Sequence, residues 1–170
     1  MRRNVTSAET NDLLARIRSE VPGIHLRTTL LVGHPEETED DMEHLKSFVK
    51  EQKFERLGVF AYSHEESTYA YKHYKDNIPD DVKQQRLDEI MELQRPISAK
   101  HNEKKVGKTF KVIIDREENE YFVGRTEFDS PEVDPEVLIS KTTKLQTGHF
   151  YPVKITIFDD YDLFGEVINP

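Results

Sequence analysis

The sequence predicts an α/β layer followed by an all-β barrel. Two patterns carry this expectation. Residues 24–62 run strand, helix, strand with short joins, a βαβ unit whose two strands must be parallel. Residues 109–168 hold five short stretches of β-branched and aromatic residues between charged turns, which suits a small closed barrel of OB-like type. A single long helical stretch separates the two patterns.

The elements follow in order. Thr6 with Glu9 forms a capping box for a helix over 6–21, with Leu13, Leu14, Ile17 and Val21 on one face, ended by Pro22-Gly23. Residues 24–32 read as a strand, and its closing Leu30, Leu31 and Val32 suit burial on both faces. Gly33 ends it. Thr38 caps a helix through about Glu51, with Met42, Leu45, Phe48 and Val49 inward and an acidic first turn that complements the helix dipole. Residues 56–62 form the partner strand. A polar loop over 63–78 contains three tyrosines. Residues 80–104 read as a helix with Val82, Arg86, Leu87, Ile90, Met91, Gln94 and Ile97 along one side. Pro96 inside it lacks an N–H for Glu92, so a kink or break is expected there. The barrel strands are expected at 109–115, 120–126, 136–140, 151–158 and 163–168. Gly124 and Gly165 within them mark bulges or corners.

Two parallel strands cannot make a sheet with both faces covered. The first lobe is therefore expected to be part of a larger α/β domain, with an exposed edge and an apolar patch.

Composition narrows the chemistry. The chain has 170 residues, 35% hydrophobic and 34% charged, with 16 Phe and Tyr together and no Cys. That excludes disulfides, thiolate nucleophiles, Cys-bound zinc and a self-ligated iron–sulfur cluster. It fits a reducing compartment, and with no membrane-length apolar run and no signal-peptide pattern the expected location is cytoplasmic. Net charge is −9, and residues 106–170 carry 7 Lys+Arg against 13 Asp+Glu. Such a barrel is a poor match to a phosphate backbone and a good match to a basic partner.

Motifs for catalysis are sparse. The seven His have no HExxH spacing, so no metal site is read from them. Ser63 and Ser67 flank His64 without a nucleophile elbow. Asp159, Asp160 and Asp162 read as a hairpin turn rather than a general acid/base pair. No catalytic residue is assigned. The acidic stretch 127–136 is either a solvated loop or a docking surface. The most suggestive string, Val32-Gly33-His34-Pro35-Glu36-Glu37-Thr38, joins a strand to a helix, where α/β domains host ligands.

Several strings together resemble one family over essentially the whole chain. They are MRRN at 1–4, RTTLLVGHPEETEDD at 27–41, ERLGVFAYSHEEST at 55–68, LDEIMELQRPIS at 87–98, VGRTEFDSPEVD at 123–134 and DYDLFGEV at 160–167. They look like the C-terminal part of a radical S-adenosylmethionine methylthiotransferase followed by its TRAM domain. Within that family the similarity is greatest to the RimO type, which modifies an aspartate of a small-subunit ribosomal protein. The resemblance implies a partial (β/α) barrel over 1–78, a connecting helix over 79–105 and a five-stranded OB-like TRAM barrel over 106–170.

It also implies that Met1 is internal to a longer protein. The N-terminal half, with the cluster cysteines, would then be missing and would be a partner of this one. The full-length enzyme would use S-adenosylmethionine and two [4Fe–4S] clusters. This chain would bind neither cluster and be inactive alone. By family position Arg27, Gly33, Glu37, Tyr62 and Ser63 are cofactor-binding, with Phe60 at the same mouth and Arg2 and Arg3 facing it. The chain departs from the family at His34-Pro35-Glu36-Glu37, where Phe-Pro-Gly-Glu is usual, and at Ser67-Thr68, where Gly-Thr is usual.

Three functions stay open at this point. One is an enzyme part whose barrel recognises a basic ribosomal protein, with no membrane and nucleic acid disfavoured. Another is a TRAM-containing tRNA methylthiotransferase part that binds tRNA. The last is a freestanding interaction module that completes its sheet by dimerisation.

Overall fold

The computed structural model describes residues 4–131, 134–142 and 144–168. The chain divides into two compact units, Met1–Gln94 and Arg95–Pro170.

In the first unit, α1 (Ser7–Glu20) opens on the expected capping box. The Thr6 hydroxyl accepts the Glu9 N–H, and the Glu9 carboxylate accepts the Thr6 N–H at 2.8 Å. β1 (Arg27–Val32) and β2 (Arg56–Ala61) pair in parallel, Arg27 opposite Arg56 and Val32 opposite Ala61, in a two-stranded sheet. α2 (Glu39–Gln52) connects them. Its capping box uses Thr38 and Asp41, and the Thr38 N–H holds the Asp41 carboxyl below its ordinary range. Met42, Val49 and Phe54 are buried between helix and sheet.

Several expectations need correcting here. The first strand starts at Arg27, three residues late, and it is covered only at its carboxyl end. Arg27 and Thr29 are exposed, Thr28, Leu30 and Leu31 are half-buried and only Val32 is fully buried; among the described residues β1 has no strand partner but the one that follows it. The apolar face of α1 is only partly covered: Leu14 and Ile17 are half-buried, while Leu13 is 54% and Val21 50% exposed. The exposed edge is present, with Phe60 of β2 at 63%. The loop over 63–78 contains a one-turn helix, α3 (Tyr69–His73), capped by the Thr68 hydroxyl.

α4 (Asp80–Glu103) runs through Pro96 without a break. Arg86, Ile90 and Gln94 of the expected side are buried, and Lys83, which was not on it, joins them, while Val82, Leu87 and Met91 are only partly buried. The spacing of 3, 4 and 4 residues is one helical stripe, and two of its four members are cations.

The second unit is a closed barrel in the order β3-β4-β5-β7-β6: β3 (Thr109–Glu117), β4 (Tyr121–Thr126), β5 (Val137–Ser140), β6 (Phe150–Phe158) and β7 (Leu163–Val167). β5 and β7 are parallel and every other pair is antiparallel. Alternate residues point inward, and Val112, Ile114, Phe122, Val137, Ile139, Val153, Ile155 and Leu163 fill the interior with Leu145 from a loop. The two strand glycines stand at corners, and the register shifts lie on the strands facing them, at Ile114/Arg116 and Ile155/Ile157. A Cβ on Gly124 would sit 2.3 Å from the Ile113 carbonyl oxygen, and one on Gly165 would sit 2.5 Å from Val153 Cγ1. The 159–162 turn is structural, as read from the sequence. Asp159 Oδ1 accepts the N–H groups of Tyr161 and Asp162, and Asp162 Oδ1 accepts the Glu136 N–H.

Two outcomes are expected. Gly124→Ala or Gly165→Ala lowers barrel stability by about 1–3 kcal/mol in denaturant unfolding. Gly58→Ala, with nothing within 4 Å, stays within about 0.5 kcal/mol. Glu55 gives a pH signature. It is buried and accepts the Leu26 N–H at 2.8 Å and the Arg18 guanidinium at 3.1 and 3.3 Å. Burial opposes its charge, but these bonds outweigh burial and hold its pKa below the ordinary value. A depressed carboxylate stabilises the fold above its unfolded pKa of about 4.3, and that contribution is lost as pH falls through the folded value. Glu55→Gln therefore destabilises the chain at pH 7 by about 1–3 kcal/mol and flattens its stability profile below about pH 4.

Candidate cofactor-binding cleft

The carboxyl ends of β1 and β2 open into a cleft of about 680 Å³ within the first unit. That size suits a small-molecule site. Its walls come from three segments. β1 and the turn after it give Leu31 and His34, the end of β2 gives Tyr62, Ser63 and Glu65, and the α3 region gives Thr68, Tyr69, Ala70 and Tyr74.

Aromatic packing builds the walls. His34 meets Tyr62 edge-on at 5.1 Å and Tyr74 at 5.7 Å between ring centroids. The Tyr62 hydroxyl is hydrogen-bonded to His64 Nδ1 at 2.8 Å, and the His64 ring packs on Tyr71. Tyr69 stacks on His73 at 3.9 Å. Burial, reinforced by the Asp76 carboxylate, holds the Tyr62 phenol above its ordinary pKa. Ser63 is exposed and its hydroxyl donates to Glu65 Oε1 at 2.6 Å.

Behind the wall lie two cations of α4. Lys83 Nζ stands 5.7 Å from the Tyr62 ring and donates to Asp76 at 2.7 Å and to Asp80 at 3.0 Å. Burial disfavours its charge, yet those bonds prevail and raise its pKa. Its stem fills the space beside Gly33, where a Cβ would come within 2.4 Å of Lys83 Cγ. Gly33 also has φ of +77°, so the turn asks for glycine twice. Arg86 reaches Glu37, whose Oε1 accepts the Gly33 N–H and an Arg86 N–H, each at 2.8 Å.

Of the five residues read from the sequence, Gly33, Glu37, Tyr62 and Ser63 gather at this end of the sheet. Arg27 does not. It opens β1, and five residue steps of strand place it roughly 17 Å from Val32. Phe60 precedes the mouth and is exposed, and Arg2 and Arg3 lie outside the described residues. Sequence reasoning missed Lys83 altogether and did not connect Arg86 with the turn. The only signal was two cations falling on the stripe that also holds Ile90 and Gln94.

In the barrel, the acidic surface is partly neutralised from within. Arg116 grips Glu136 through both guanidinium ends at 2.6 and 2.9 Å and also bonds Glu118, which raises its pKa. Lys141 pairs with Glu117, and Arg125 pairs with Asp115. The stretch 127–136 is ordered by its own bonds where it is described: the Thr126 hydroxyl donates to Asp129, and the Ser130 N–H donates to Asp134.

Comparison with known proteins now adds to this geometry. The TRAM domain family matches residues 106–168. Curated relatives named ribosomal protein uS12 methylthiotransferase RimO are 64% identical in Parabacteroides distasonis, 59% in Phocaeicola vulgatus and 57% in Bacteroides thetaiotaomicron, each over 99% of this chain. The chain is RimO-like and carries a TRAM domain. It spans 39% of the length of these relatives. The resemblance read from the sequence is therefore established along the whole chain, and the closed five-stranded barrel is the TRAM domain.

The RimO-like cleft fits S-adenosylmethionine in kind. Its tyrosine and histidine rings suit a heteroaromatic base and a sulfonium cation, and Glu65 suits an ammonium group. The chain does not fit an iron–sulfur cluster, because it has no cysteine and the described residues hold no cluster of metal-ligating side chains.

Gly33→Ala is expected to cost more than Gly23→Ala. Both have positive φ, but only Gly33 faces a packed side chain. The backbone term is about 1 kcal/mol for each. The excess for Gly33, read by thermal unfolding, measures the Lys83 contact. Equal losses would show that Lys83 simply moves aside.

Proposed function

We propose that the chain is the C-terminal part of a radical S-adenosylmethionine methylthiotransferase that modifies an aspartate of a small-subunit ribosomal protein in the cytoplasm. One observation carries this reading. An aromatic cleft lies at the carboxyl ends of two parallel strands, in a chain 64% identical over 169 residues to a protein named for uS12 methylthiotransfer. Ligands of α/β domains bind at that end of the strands.

When bound, S-adenosylmethionine supplies the radical and methyl chemistry. The chain's own residues hold and orient it. Tyr62, Tyr69, Tyr74 and His34 give apolar walls that exclude water. Ser63 and Glu65 supply polar contacts at the rim, and Gly33 lets backbone approach. The clusters belong to the part of the enzyme that carries cysteines, so this chain alone turns over no substrate. That same part completes the two-stranded sheet and covers Phe60, exposed here at 63%.

The barrel contributes substrate recognition through its acidic surface. Exposed Glu120 and Glu127 flank the neutralised pairs and face solvent, where they attract a basic protein.

The complete enzyme carrying this segment, supplied with S-adenosylmethionine and reductant, is expected to add a methylthio group to one aspartate of the ribosomal protein, read by peptide mass spectrometry. Tyr62→Ala should weaken S-adenosylmethionine binding at least tenfold, about 1.4 kcal/mol. Modification of tRNA instead, or of neither, overturns the reading. Binding of the ribosomal protein should weaken with salt and with Glu120→Lys/Glu127→Lys. Salt-insensitive binding would remove the docking role of the barrel.

A further inference from the structure

One buried group of the first unit lines no ligand wall. The Arg86 side chain is 8% exposed. Its Nη1 donates to Glu37 Oε1 at 2.8 Å and to the Glu37 carbonyl at 3.3 Å, and its Nη2 donates to Glu39. Its Nε is buried and has no hydrogen-bond partner among the described residues. Burial works against the charge, and the bonds to Glu39 and Glu37 overcome it, so its pKa lies above the ordinary value. A buried ion pair with an orphan N–H contributes little to stability, and an apolar residue of similar volume often serves as well or better. Stability alone does not account for arginine here.

What Arg86 does fix is the turn. Glu37 is anchored to α4 through Arg86 and to the start of the turn through the Gly33 N–H at 2.8 Å. Between these anchors the Glu37 N–H donates to the His34 carbonyl at 3.0 Å, and the Glu36 N–H donates to Asn77 Oδ1 at 3.2 Å. Glu36 is held at φ of +71°, a left-handed conformation unfavourable for a residue with a Cβ. Such strain persists only where the surroundings over-determine it, and it clusters at ligand sites. The product of the strained turn is the place of His34. It stands between Tyr62 and Tyr74 with Nδ1 against the Pro35 carbonyl at 3.0 Å and Nε2 buried without a partner among the described residues.

We infer that Arg86, acting through Glu37, is a positioning residue for ligand binding. It holds the strained Gly33–Glu37 turn so that His34 stands in the cleft wall between Tyr62 and Tyr74. The inference rests on the reading of the cleft as the S-adenosylmethionine site.

The test uses the complete enzyme and reads S-adenosylmethionine affinity, the KM and kcat of its cleavage, and the melting temperature. Arg86→Met should raise Kd and KM at least tenfold and leave kcat within about twofold, with a melting temperature equal to the wild type or higher. Glu37→Gln/Arg86→Met should be no worse than Arg86→Met alone, because the two act as one device. Arg86→Lys keeps the charge and loses the planar fork, so it should weaken affinity at least threefold at an unchanged melting temperature. It keeps the test readable if the methionine variant does not fold. Wild-type affinity in Arg86→Lys or Arg86→Met overturns the inference, as does a loss of affinity that only tracks a loss of stability. Tyr62→Ala separates the two readings. If it weakens binding while the Arg86 variants do not, the positioning role falls alone. If it too leaves binding intact, the cleft reading falls with it.

Discussion

Two cations on one helical stripe organise the first unit. Lys83 and Arg86 are three residues apart on α4, so both point the same way, into the end of a sheet only two strands wide. Each reaches a different part of the same corner. The Lys83 stem lies against Gly33 and its ammonium passes under Tyr62 to Asp76 and Asp80. Arg86 takes Glu37 and Glu39 at the start of α2. A thin sheet cannot define a ligand site by packing alone, since few apolar contacts are available on either face. Charge-assisted hydrogen bonds, which are directional and short, supply the missing definition. The acidic run at 36–41 thus does more than complement a helix dipole. Its Glu37 and Glu39 are the anchors that α4 grips, while Asp41 serves the cap.

The barrel solves a different problem by different means. Five short strands close only if they bend sharply, and close backbone approach at Gly124 and Gly165 lets them do so. The residue gained by each facing strand at its register shift increases the local bend. Inside, the core is apolar throughout. Outside, opposite charges link β3 to the residues flanking β5, beyond the intervening β4, as in Arg116 with Glu136 and Lys141 with Glu117. These exposed pairs add little stability each. Their larger effect is to cancel much of the acidity where they sit and leave the remaining charge concentrated in the turns.

Much of this was legible in the sequence, and the parts that were not share a cause. Local signals read true. The Thr6 capping box, the Thr38 cap and the Asp159 turn are each fixed by residues within a few positions of one another, and each barrel strand by its own short run of residues. Their energetics are local, so spacing suffices. The misreadings involve partners far apart in the chain. On α4 the expected side was right at Arg86, Ile90 and Gln94, but the corner it meets is polar, and Lys83 is buried where Val82 and Leu87 are only partly so. The apolar face of α1 was legible, yet only Leu14 and Ile17 of it are half-buried while Leu13 and Val21 are exposed. Pro96 pointed to a kink or break; the break does not occur, since an exposed proline removes a single N–H and the helix continues past it. At the cleft, Tyr62, Ser63 and Gly33 were named through the family resemblance, and all three stand at or just after strand ends. Arg27 was carried along by its string, although it lies at the other end of the same strand.

The cleft and the thin sheet belong to one argument. Ligand-binding ends of parallel strands are usually stiff because strands on both sides hold them. Here only one pairing exists, and Phe60, Leu13 and Val21 stay in water. The turn that forms the cleft wall is nevertheless tightly specified, with two left-handed residues, a carboxylate shared between backbone and guanidinium, and a lysine stem packed on glycine. Precision of that kind in an otherwise sparsely packed unit is out of proportion to what folding needs. Strain held by buried charge has to be offset by contacts elsewhere, and selection for stability alone would remove it. It is retained where the geometry of the wall itself matters. The polar corner behind the cleft, more than the apolar surface around it, is the most closely specified part of this unit.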